Sequence, residues 1–178
     1  MADQTIIIHI NGYWRDQSKT DLTQSAGIYF VYESRFNKGD QTVDLMKLLY
    51  IGSSDNIREG IREHPEYASW IDLLAPGNEL CYATAGCDRI YRERVRSAYI
   101  VSHHPVANAP LPDPFLFDKT TIISNGRTAL INPVITVKKS AAAYSGSTMF
   151  RHLKEMIPVR TLQVFHPGGM ERRFAVGE

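Results

Sequence analysis

The sequence predicts an α/β (α+β) fold in which short apolar strands alternate with amphipathic helices. Three observations predict it. Ile28-Tyr29-Phe30-Val31-Tyr32 and Leu48 to Gly52 are β-branched and aromatic runs of strand length. Ile57 and Ile61, and later Tyr91, Val95, Ala98 and Ser102, recur at helical spacing. Beyond Asn108 the strand signals return, which predicts an additional, mainly β, C-terminal region.

In chain order, Thr5 to Ile10 is a β-branched run ending at Asn11-Gly12, a strong turn signal. A polar connector, Arg15 to Ser25, leads to the Ile28–Tyr32 strand. The charged segment Ser34 to Asp44 reads as a long hairpin connection to the partner strand, Leu48 to Gly52. Ser54 or Asp55 is placed to cap the next helix by accepting its free amide hydrogens, and His64-Pro65 ends it. Glu66 to Asn78 carries no clear period. Glu79 to Ala85 is a further strand. Asp88 is placed to cap a second helix that runs to about His104, where Pro105 stops it.

Ala109-Pro110-Leu111-Pro112-Asp113-Pro114 is a stiff connector. Thr120 to Ile123, Ser124-Asn125-Gly126 and Thr128 to Ile131 read as a hairpin, and Val134 to Val137 as a strand. Ala141 to Ile157 is a weak helix candidate and Thr161 to Phe165 a last strand. The expected organisation is an N-terminal strand and connector over 1–25, a central domain over 26–108 and a β-rich extension over 109–178.

A chain of 178 residues with 43% hydrophobic content is long enough for one core. Lys and Arg number 20 against 19 Asp and Glu, a net charge of +1, which excludes a strongly basic coat for nucleic acid but leaves room for a local basic face. Arg92, Arg94, Arg96 and Lys38 are the candidates for one, although Arg/Glu mixing on a helix is usually solvation. Cys81 and Cys87 fit neither a four-ligand zinc site nor a disulfide framework and read as reduced thiols. His103-His104 point about 100° apart on a helix and read as surface histidines. There is no signal-peptide pattern and no apolar run of the ~20 residues a membrane span needs. A soluble, cytoplasmic protein with no membrane partner is expected.

Gly27-Ile28-Tyr29 and Tyr50-Ile51-Gly52 on consecutive strands, a helix with the late His64, and a second helix closing on Pro105-x-x-Asn108 together resemble the GIY-YIG endonuclease family. The resemblance covers roughly Ala26 to Asn108. It implies a small antiparallel three-stranded sheet flanked by helices. It also implies roles: Tyr29 beside the nucleophilic water as general base, Tyr50 orienting the attacked phosphate, His64 supporting a helix arginine, and Asn108 helping to hold the site. A glutamate on the second helix would bind one divalent metal, since phosphodiester hydrolysis needs cations in place where oxygens gain charge.

Two positions depart from that pattern. Gly60 stands where the resemblance expects the catalytic arginine, and glycine inside a helix costs roughly 1 kcal/mol. Arg58 and Arg62 flank it, each about 200° around the helix. Counting back from Asn108 puts Arg96 at the glutamate position, with Glu93 one turn earlier. A guanidinium there repels a divalent ion but can still fork onto phosphate oxygens. The leading expectation is therefore a nuclease-like domain that binds nucleic acid, DNA being favoured, through Arg58, Arg62 and Arg96, with hydrolysis lost or reduced and no cofactor. One alternative is an active endonuclease using Mg or Mn at a rearranged site with Glu93 as metal ligand. The other is a protein-interaction module on a nuclease scaffold.

Overall fold

The computed structural model describes residues 3–109 and 115–139. The chain divides into two compact units, Met1–Ala141 and Ala142–Glu178. The described residues all belong to the first, and the helix expected over 141–157 and the strand over 161–165 lie outside them. The strands are β1 (Gln4–Arg15), β2 (Gly27–Asn37), β3 (Thr42–Ser54), β4 (Glu79–Gly86), β5 (Thr120–Gly126) and β6 (Val134–Val137). The helices are α1 (Ile57–Arg62), α2 (Tyr67–Asp72) and α3 (Arg89–His103), with 3-10 turns at Asp16–Asp21 and Val106–Asn108. No described helix is long and apolar enough to cross a membrane.

The strands form one mixed six-stranded sheet in the order β3-β2-β4-β1-β5-β6. This corrects the expectation of a small three-stranded sheet. The antiparallel trio β3-β2-β4 is present, but the far edge of β4 bonds to Asn11–Arg15 of β1, and β1 passes the sheet on to β5 in parallel. Asn11-Gly12 is consequently not a turn. β1 runs through it with a register irregularity between Gly12 and Trp14, where a Cβ at Gly12 would stand 3.1 Å from that of Ala83.

β2 is buried from Gly27 to Ser34, which explains its unbroken apolar run. Its residues alternate between two cores. Ile28, Phe30 and Tyr32 pack with Val95, Ala98 and Tyr99 of α3 and with Ile8, Ile10, Ile122 and Ile135. Tyr29 and Val31 face Ile57, Ile61 and Trp70 of α1 and α2. On that second face Asp16 accepts from Tyr82 Oη at 2.5 Å, Tyr67 Oη at 2.9 Å and Lys19 Nζ, tying the 3-10 turn and α2 to β4.

Four further expectations are corrected. The 34–44 segment is mostly strand: β2 and β3 pair out to Asn37 and Thr42, and the ribbon, largely solvated beyond Arg35, gave no apolar period. Glu66 to Asn78 contains α2, whose short length hides its period, with Trp70 fully buried. Thr128 to Ile131 is not a strand, because Leu130 takes a positive φ of 61° and Ala129 N–H bonds the Tyr13 hydroxyl at 3.0 Å. β5 pairs instead with β6. His103 is half-buried: Nδ1 donates to Tyr99 O at 3.0 Å, so Nε2 accepts from Asn132 N–H at 3.0 Å. Cys81 and Cys87 are both free thiols, and burial pushes Cys81 up to about 12.

Candidate functional site

The two tyrosines of the paired triplets meet at the end of the β2–β3 hairpin. Tyr29 and Gly52 are cross-strand partners, and the Tyr29 ring occupies the space a side chain at Gly52 would need. The Tyr29 and Tyr50 rings lie 6.1 Å apart. Helix α1 comes against the same place. A Cβ at Gly60 would sit 2.6 Å from Ser54 Cβ and 2.7 Å from Ser54 Oγ, and 3.9 Å from the Tyr29 ring. Glycine at position 60 is thus a contact requirement. The N-cap is Asn56 rather than Ser54 or Asp55, its side chain accepting from Glu59 N–H at 3.3 Å. Ser54 Oγ instead bonds the Asn56 backbone, donating to its O at 2.7 Å and accepting from its N–H at 3.1 Å.

His64 follows α1 and stacks on Trp70 at 4.4 Å between ring centroids, with Tyr50 5.0 Å from each. Glu66 N–H donates to His64 Nδ1 at 3.1 Å. The ring proton therefore sits on Nε2, 3.3 Å from the Tyr50 hydroxyl, which accepts it. Burial lowers the His64 pKa, with Glu66 opposing, so the ring is neutral when it orients Tyr50. Burial raises both tyrosines. Next in weight come the neighbouring Tyr50 for Tyr29 and Glu66 for Tyr50, while Arg96 pulls both the other way. Neither tyrosine supplies a phenolate near neutral pH.

Asn108 holds the strand that carries Tyr50. β3 is an edge of the sheet, and the Asn108 carboxamide completes it as a neighbouring peptide group would. Oδ1 accepts from Ile51 N–H at 2.8 Å and Nδ2 donates to Ile51 O at 3.1 Å. Both ends of the side chain are thereby committed to backbone.

Arg96 projects from α3 within electrostatic reach of Tyr29 and Tyr50, its side chain only 24% exposed. It is forked onto Glu93, with Nε to Oε2 at 3.0 Å and Nη2 to Oε1 at 2.7 Å, and Ser97 Oγ donates to the same carboxylate at 3.0 Å. Burial works against the Glu93 charge, yet these bonds outweigh it and hold the carboxyl below its ordinary range. The other two arginines read from the sequence bond to other groups. Arg58 Nε donates to Leu22 O at 2.7 Å, and Arg62 pairs with exposed Glu63 at 2.7 Å. Arg92 and Arg94 are buried and make no exposed basic face.

The residues present do not fit a divalent ion. A guanidinium stands at the position where the resemblance puts the metal ligand, Glu93 is spent on that guanidinium, and among the described residues no three His, Cys, Asp or Glu side chains are grouped to share a metal. Sequence reasoning missed Trp70, Glu66 and the Arg92–Asp55 bond at 2.8 Å that ties α3 to the start of α1. These contacts cross between elements and leave no local period. No family model matches the chain, and no curated protein or solved structure matches it either.

Proposed function

We propose that this chain is a nuclease-like nucleic-acid-binding domain whose phosphodiester hydrolysis is lost or strongly reduced. The supporting observation is the Arg96–Glu93 fork beside Tyr29 and Tyr50, combined with a glycine packed where a catalytic cation would start. Hydrolysis needs positive charge on the non-bridging and leaving oxygens at once, and losing one such donor typically costs 10² to 10³ in rate. Binding needs less. Arg96 uses Nε and Nη2 on Glu93, which leaves N–H groups on the guanidinium for phosphate oxygens, with the Tyr50 hydroxyl alongside.

The test is a plasmid-nicking assay with Mg²⁺ or Mn²⁺, run beside fluorescence anisotropy on a DNA oligonucleotide. The expected result is intact plasmid and salt-sensitive binding that Arg96→Ala weakens. Metal-dependent cleavage that Glu93→Ala abolishes would overturn this reading in favour of an active endonuclease with a rearranged site.

A further inference from the structure

β1 serves two neighbours in succession, and among the described residues part of one of its edges is unpaired. Gln4 N–H donates to Lys119 O at 3.0 Å, and Ile10 O accepts from Arg127 N–H at 2.8 Å. In a parallel ladder such bonds fall on every second residue, so the even-numbered residues face β5 while Thr5 and Ile7 turn their N–H and C=O the other way. On that side β4 pairs only with Asn11–Arg15. The open edge looks into a cleft of about 1000 Å³ whose opposite wall is Gly86–Asp88 and the first turn of α3. Ile7 is 68% exposed and Ile90, on that first turn, 80%.

We propose that this cleft receives an extended peptide segment of a partner protein, which adds as a strand to Thr5 and Ile7 and sets a carboxylate against Arg89 and the start of α3. An open strand edge offers donors and acceptors at the repeat of a polypeptide backbone, which an extended peptide matches and a sugar-phosphate chain does not. Charge complementarity places the acidic group. Asp88 makes no side-chain cap bond, its carbonyl takes the N–H groups of Tyr91 and Arg92 and the Cys87 thiol, and the first turn carries no acidic residue. Arg92, 9% exposed, lines the same cleft; Asp55 holds its Nη1 at 2.8 Å, and its Nε is unpartnered. Asp3 and Asp88 balance the two arginines overall. A polyanion is therefore not drawn in, while a single carboxylate finds a local partner. Walls on both sides suit one extended chain rather than the edge of another folded sheet.

The full chain, ¹⁵N-labelled, is titrated with a pool of acetylated heptapeptides of alternating threonine and valine that end in glutamate. Slower exchange of the Thr5 and Ile7 amides is expected, with binding about tenfold weaker in Arg89→Glu. Thr5→Pro, which removes a donor that β5 does not use, abolishes the response. Ile7→Lys, at an exposed side chain, does the same with the fold intact. No amide response at millimolar peptide overturns the proposal. A response to a thymidine oligonucleotide in place of the peptide, or a dimer in sedimentation that Ile7→Lys dissolves, overturns it equally. Because Thr5→Pro and Ile7→Lys leave Arg96 in place, loss of peptide binding and loss of DNA binding are separately read.

Discussion

The ring of Tyr29 lies across Gly52, its cross-strand partner, and takes the volume that any side chain at position 52 would occupy. The tyrosine of one triplet and the glycine of the other are one packing unit, an aromatic covering a glycine across two strands. Gly52→Ala should cost about 1 to 3 kcal/mol in urea denaturation through overpacking. Adding Tyr29→Leu should recover part of that loss, and simple additivity of the two changes would disprove the unit.

Alanine is normally the better helix residue by roughly 1 kcal/mol. At position 60 the sign should reverse. Gly60→Ala drives a methyl into Ser54, and loss of about 1 to 2 kcal/mol is expected. Ser54→Gly in the same chain should relieve it. Gly60→Arg, which writes in the cation that the resemblance implies, should destabilise further and should not produce nicking on its own.

Asn108→Ala should leave both polar groups of buried Ile51 without their partner and cost about 2 to 4 kcal/mol. Asn108→Asp keeps an acceptor for Ile51 N–H but sets an oxygen against Ile51 O. It should therefore be damaging too, most visibly as faster exchange of the Ile51 amide.

Glu93 separates the binding and catalytic readings by sign. Glu93→Ala frees the Arg96 guanidinium, so DNA affinity should rise severalfold at low salt, and the slope of affinity against salt should steepen. Arg96→Ala should lower affinity about tenfold. It should also raise the Tyr29 and Tyr50 pKa further, because Arg96 holds both down. An ultraviolet titration of the phenols checks this.

Burial lowers the pKa of both His64 and His103, and each uses an unprotonated ring nitrogen to accept a backbone N–H. The unfolded chain binds these protons more readily than the folded one. Stability is thus full above the ordinary histidine pKa of about 6.5 and falls as pH drops through the lowered values. Urea midpoints should decline below about pH 6.5. His103→Gln should start lower but show a shallower decline.

Strands β2, β4 and β6 and helix α3 were legible because each carries its period or its apolar run within a few residues. The paired tyrosines, His64 and Asn108 were singled out only through the resemblance, and the structure does bring Tyr29, Tyr50 and His64 together. What was not legible depends on partners distant in sequence. Asn11-Gly12 reads as a turn until Ala83 is seen lying against it, and Gly60 reads only as a lost arginine until Ser54 is. Trp70 sits in a helix of one and a half turns, too short to display a stripe.

Sharing β1 between two halves of the sheet has a consequence for portability. The span that holds every motif residue, 26–108, would on excision bare the flank of β4 and strip Ile8, Ile10, Ile122 and Ile135 from the far side of Phe30 and Tyr99. Tyr99 would also lose the Ser124 hydroxyl it meets at 2.7 Å. A fragment cut at those boundaries should aggregate, and grafting this tyrosine pair onto another host requires carrying the N-terminal strand and the β5–β6 pair with it.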